Sequence, residues 1–203
     1  DSIVGSQYRL NAHPDIRVLG LDDGWMDEFQ QEAEAKFMLW AEADENWIDA
    51  SRMNNFTSMI RLAVAIAFAG GECLATGEWA RDGRPFSTCL QMVDCDRLSN
   101  PNDQMDTPTL RRGIERTRMG APIAAHIREA HPSDFHQNEK VYSWKRVPFR
   151  KSWGRLQVLH IVEQSRADMT RGVADMVSVL KETHMARKFH DVSLQNAIVQ
   201  ASY

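Results

Sequence analysis

Residues 56–69 are apolar almost all round, and Gly70-Gly71 stops the run. Only a helix covered on several sides buries Met59, Ile60, Leu62, Val64, Ile66 and Phe68 together. A glycine pair is the usual end of such a helix. The period then changes from helical to alternating. Residues 72–79 and 86–93 read as strands around the turn Arg81-Asp82-Gly83-Arg84-Pro85. A buried helix feeding a hairpin predicts an α+β fold, with helices packed on an antiparallel β-rich region.

The remaining segments extend this pattern. Residues 25–49 predict a helix capped by Asp22 or Asp23, with Trp25, Phe29, Ala33, Phe37 and Trp40 or Ala41 on one stripe. It should lie on the core helix, which is then sandwiched between it and the strands. A second hairpin is expected from residues 113–118 and 121–127 around Met119-Gly120, between polar loops at 99–109 and 131–140. Residues 141–147 and 156–162 close the β-rich part. Arg171-Gly172 punctuates, and residues 173–203 read as a long C-terminal helix. The expected division is an extended N-terminal segment (1–24), two helices (25–70), a β-rich region (71–162), and a loop and helix (163–203). The absence of an initiator Met and the stop inside a helix suggest one domain excerpted from a longer chain. No signal peptide is visible.

Composition narrows the function classes. The chain has 203 residues, 43% hydrophobic and 26% charged, the balance of a globular domain. The longest apolar stretch, residues 62–71, falls far short of the roughly 20 residues a bilayer requires, so no membrane role is expected. Cys73, Cys89 and Cys95 lack metal-type spacing and suggest reduced thiols. The net charge of −4 conceals an asymmetry. Residues 1–106 carry 19 acids and 8 bases, and residues 107–203 carry 9 acids and 16 bases. Opposite halves suggest two different faces or partners.

Chemistry-bearing residues are sparse. His126, His131 and His136 are spaced by five, which suits neither a helix face nor a strand face, so no metal site is expected. Asp94, Asp96, Asp103 and Asp106 form an acidic cluster. The Asp94/Asp96 pair is the one hint of a metal-dependent nuclease, but no catalytic lysine or E-x-K accompanies it. Phosphate-loop, nucleophile-elbow and dinucleotide motifs are absent, and no catalytic residue or cofactor is expected. Basic residues are denser. Arg111, Arg112 and Arg116 lie in one strand region, and Lys145, Arg146 and Arg150 in another beside Trp144, Phe149 and Trp153. Bases interleaved with aromatics suit either an isolated nucleic-acid-binding module or a subunit interface. The residues alone leave both open.

An ordered series of strings says more. Gly70-Gly71-Glu72 is followed by Val93-Asp94-x-Asp96-Arg97-Leu98-Ser99-Asn100-Pro101 and Arg112-Gly113-Ile114-Glu115. Next come Gly120-Ala121-Pro122-Ile123-Ala124-Ala125-His126-Ile127 and His131-Pro132-Ser133-Asp134. The series ends with Arg146-Val147-Pro148, Val158-Leu159-His160-Ile161 and Thr170-Arg171-Gly172-Val173. Together these resemble the lambda-type portal family of tailed bacteriophages. Cys95 stands where that family usually has Pro, and Asp168-Met169 where it usually has Gly-Gln. The resemblance implies a non-enzymatic subunit of a homo-oligomeric, dodecameric ring at one vertex of the virion capsid, assembled in the bacterial host cytoplasm. Such a ring acts as head–tail connector, with terminase, capsid and tail-connector proteins as partners. Double-stranded DNA passes through it, unread, during genome packaging and ejection. By resemblance the chain is mostly wing region, its last helix leading toward the stem. Arg111, Arg112, Arg116, Lys145, Arg146 and Arg150 become candidates for subunit contacts or DNA proximity.

Overall fold

The computed structural model describes residues 10–12, 14, 15, 18, 20, 22–134 and 139–202. The expected extended segment at 1–24 lies mostly outside the described residues. The first described helix is α1 (Asp23–Ala41), whose N-cap Asp22 accepts the Trp25 amide at 3.1 Å. It ends eight residues before the predicted boundary. Beyond it, Ile48-Asp49 pair with Leu90, whose amide donates to the Ile48 carbonyl (2.7 Å) and whose carbonyl accepts the Ala50 amide (2.8 Å). Burying Ile48 completely outweighs two more helical turns. Asp49 then organises the next turn, accepting from the amides of Ser51, Met53 and Asn54. Burial alone would raise the Asp49 carboxyl, but these bonds together hold it below the usual range.

Helix α2 (Phe56–Gly70) starts at Asn55, whose side chain accepts the Ser58 amide at 2.9 Å. The Glu42 carboxylate at the end of α1 takes the Thr57 amide (3.1 Å) and hydroxyl (2.7 Å). Phe37 and Phe56 meet edge-on at 5.7 Å. The expected sandwich is therefore realised only at this end. Thr57 and Met59 alone are buried in α2, Ile66 is half-buried on the core, and Leu62, Val64 and Phe68 are exposed. The apolar sequence needs more cover than the described residues supply.

The strands form two antiparallel sheets. One holds β2 (Thr88–Val93), β1 (Glu72–Trp79) and β7 (Val158–Val162) in that order. The other holds β3 (Leu110–Arg111), β4 (Ile114–Arg116), β5 (Pro122–Arg128) and β6 (Trp144–Pro148). The predicted strand at 141–147 begins later, because Glu139–Tyr142 forms a short 3-10 turn. From β6 the chain crosses through Phe149, which bonds Ile123 on one side and Gln157 on the other, into a hairpin and back as β7. One core spans both sheets: Leu74, Val93 and Val158 meet Leu98, Ile114, Ala125, Ile127 and Val147. Helix α3 (Val177–Ala201) starts later than residue 173 and has no buried residue.

Candidate functional site

The segment after β7 turns back onto the sheets, and a buried carboxylate holds it there. Glu72 opens β1 with 3% of its surface exposed. One carboxylate oxygen accepts from Arg171 Nε. The other lies 2.8 Å from His160 Nε2 and accepts the Gly172 amide at 3.1 Å. The Arg171 guanidinium also donates to the carbonyls of Leu98 (2.7 Å), Cys95 (2.9 Å) and Arg112 (3.1 Å). One arginine thus ties β1, the 95–98 turn and the β3–β4 turn to the linker before α3. Burial pushes the Glu72 carboxyl up, but His160, Arg171 and the Gly172 amide more than reverse it. The backbones also abut. A Cβ on Gly172 would lie 1.9 Å from the Gly71 carbonyl oxygen. Gly71 itself sits at φ +84°, and a Cβ there would meet the Val173 carbonyl carbon at 2.2 Å. Neither position admits a side chain.

Two further hubs reinforce the second sheet. Buried Asn100 donates to the Gln104 carbonyl (2.9 Å) and Asp106 (2.8 Å) and accepts the Gly113 amide at 2.6 Å. Glu115 accepts two bonds from Arg146, at 2.8 and 2.6 Å, and meets His126 at 2.7 Å. Arg146 first, with His126, pulls the Glu115 carboxyl down to about 2 against its partial burial. These hubs join strings that are far apart in sequence: 70–72 with 158–161 and 170–173, 93–101 with 112–115, and 112–115 with 146–148.

The six candidate basic residues separate into two groups. Arg116, 8% exposed, pairs with Asp168 at 2.5 Å, and Arg111 pairs with the same carboxylate at 3.0 Å. The Arg116 bond, joined by Arg111, lowers the Asp168 carboxyl. Asp168 stands at φ +62°, a left-handed conformation more natural to Gly. Arg146 is engaged by Glu115. Arg112, Lys145 and Arg150 form no ion pair among the described residues, although Arg150 donates to the Gly154 carbonyl at 3.2 Å. Arg111 and Arg112 line a cleft of about 540 Å³ with Arg166, Arg171, Asp106 and Asp168.

The other candidates disperse. Asp103 pairs with Arg128, and Asp106 accepts the Arg112 amide at 2.8 Å. Asp94 caps its own 3-10 turn (Cys95–Arg97) through the Asp96 amide at 2.9 Å. His126 belongs to Glu115, and His136 lies outside the described residues. His131 does approach Asp94, at 3.7 Å, and with Asp96 its ligand-type atoms fall within 4.8 Å of one another at the surface. Histidine spacing alone does not record that approach, because its other two members are aspartates of a neighbouring turn. The three cysteines are free and buried, and burial pushes the Cys95 thiol up to about 12. Sequence reasoning also missed the Glu72–His160–Arg171 hub. Its signal was an acid opening a strand whose next three residues are apolar, a position that needs a cation once buried.

A profile of the family described as "Phage portal protein, lambda family" matches residues 1–203. The chain is 34% identical over 205 residues to the "Portal protein" of Escherichia phage N15. It is 33% identical over 204 residues to "Portal protein B" of Escherichia phage lambda. Each comparison covers all of this chain but only 38% of the relative, so the chain spans well under half of the curated relatives it matches.

Proposed function

We propose that this chain, which belongs to the lambda family of phage portal proteins, is the wing-region part of a portal subunit. Twelve such subunits would form the ring at the capsid vertex through which double-stranded DNA is packaged and ejected. Terminase and tail proteins would dock on that ring. The single observation that carries this reading is the family match across the whole chain. The architecture supports it. The described hubs fasten turns, sheets and linker to one another, as a load-transmitting part requires, and α3 leaves the body uncovered along 25 residues.

In this reading the body is the wing and α3 leads toward the stem. The protein acts as a conduit and hub, without catalysis of its own. DNA passes without base readout, because packaging must accept every sequence. Arg112, Lys145 and Arg150, which have no ion pair among the described residues, remain for a neighbouring subunit or for weak phosphate contacts. Arg111, Arg116 and Arg146 first serve their own chain.

The experiment is genetic. Deleting the full reading frame that contains this chain, in the phage or prophage that encodes it, should leave heads that assemble but hold no DNA. Supplying the frame in trans should restore filling. Heads that package normally without it would overturn the proposal.

A further inference from the structure

Two tryptophans stand out of one end of the three-stranded sheet with an arginine between them. Trp79 at the end of β1 is 58% exposed, and Trp153 in the β6–β7 hairpin is 70% exposed. The Arg155 guanidinium lies 5.6 Å from one ring centroid and 5.9 Å from the other. It is fixed there by a bond to the Glu78 carbonyl at 3.3 Å, and the hairpin is closed by Lys151–Arg155 and Gly154–Lys151 backbone bonds. The groove they form with Lys151 and Gln157 measures about 470 Å³. Arg81, Arg150, Lys151 and Arg155 form no ion pair among the described residues. Of the nearby acids, Asp82 is engaged by Arg84 and Arg52, and Glu78, which accepts the Thr76 hydroxyl, leaves one negative charge against these four cations. This end is therefore cationic and aromatic.

Helix α1, anchored at the first residue of β2, has the complementary character. Beyond β2, Trp40 anchors α1 by donating to the Thr88 carbonyl at 2.7 Å. Residues 22–45 carry nine acids and one lysine. Only Ala41 of α1 is buried, and Trp25 and Phe29 stack at 5.1 Å on its exposed surface beside Asp27 and Glu28.

We infer that the Trp79–Arg155–Trp153 end docks the acidic, aromatic N-terminal half of α1 from a second copy of the chain. Charge complementarity selects the occupant, with Asp27 and Glu28 facing Arg155 and Lys151. Because the two surfaces are different patches of one chain, the contact is head-to-tail. Such contacts repeat from copy to copy and close where the rotation permits. Duplex DNA would satisfy the cations but offers the protruding indoles no ring to stack on. The inference rests on the ring reading above and names its contact.

The test uses the full reading frame. The double variant Lys151→Glu/Arg155→Glu should lower the fraction of protein in rings about tenfold at the concentration where the parent is half assembled. Trp153→Ala should lower it too, with circular dichroism and thermal midpoint as in the parent. Adding Asp27→Lys and Glu28→Lys to the charge-reversed protein should restore most of the rings. Variants that assemble like the parent, or a swap that restores nothing, overturn the contact while leaving the portal reading intact. A loss of duplex-DNA affinity with rings unchanged assigns the surface to DNA and also overturns it. A parent that forms no rings overturns the portal reading itself.

Discussion

Arg171 makes four partners depend on one side chain: the buried Glu72 carboxylate and three backbone carbonyls. Arg171→Ala should therefore cost on the order of 3–5 kcal/mol in denaturant unfolding, because a buried charge is left uncompensated. Arg171→Lys should recover little, since a point charge cannot reproduce a planar fork. A loss within about 0.5 kcal/mol, typical of a surface site, would show that the hub is not stabilising. Glu115 supplies a pH signature. Its folded carboxyl lies at about 2, below the ordinary value of about 4.3. A depressed carboxyl stabilises the fold above the ordinary value and loses that contribution as pH falls toward the folded one. Stability should drop between about pH 5 and pH 2, and Glu115→Gln should flatten part of that drop. At Asp94 and Asp96, plasmid DNA incubated with Mg²⁺ or Mn²⁺ should stay intact. Cleavage abolished by Asp94→Ala would restore the nuclease reading. The cysteine environments were legible, since Cys73 and Cys89 lie in apolar strand patterns. The ion hubs were not, because their partners are as much as 100 positions apart, and no local period records such a pairing.

The elements test packing. Gly172→Ala places a methyl against the Gly71 carbonyl and should destabilise by more than about 1 kcal/mol. Hydrogen exchange should then quicken across residues 163–176 before it does in β1. Strand β1 was read from sequence with the boundaries found, because the glycine stop before it and the turn after it fix its ends. Helix α2 was placed correctly but judged too buried. An apolar circumference signals a need for cover, not which chain provides it. Ile66→Ala should accordingly cost about 1–2 kcal/mol, below the range for a fully buried site. Helix α3 poses the same question more sharply. Val177, Leu180, Phe189, Val192 and Ile198 are all more than half exposed. In an unassembled subunit its amides should exchange almost as in a free helix, and in the assembled protein they should be protected.

At the scale of the whole molecule, the chain is a fastened body with an uncovered helix and two surfaces of opposite charge. The acidic–basic asymmetry was readable from composition. The spatial split was not: Arg111, Arg116 and Arg146 satisfy acids of their own chain, whereas Lys151 and Arg155 at a hairpin tip have no ion pair among the described residues. In the proposed ring such a molecule would be stabilised further by copies of itself, each covering what the next leaves exposed. The most direct measurement is native mass spectrometry of the full reading frame, paired with end-on images of the particles. A single closed species of twelve subunits around an axial channel is the predicted result. A protein that stays monomeric at every concentration, or forms open chains without a closed species, would contradict the ring.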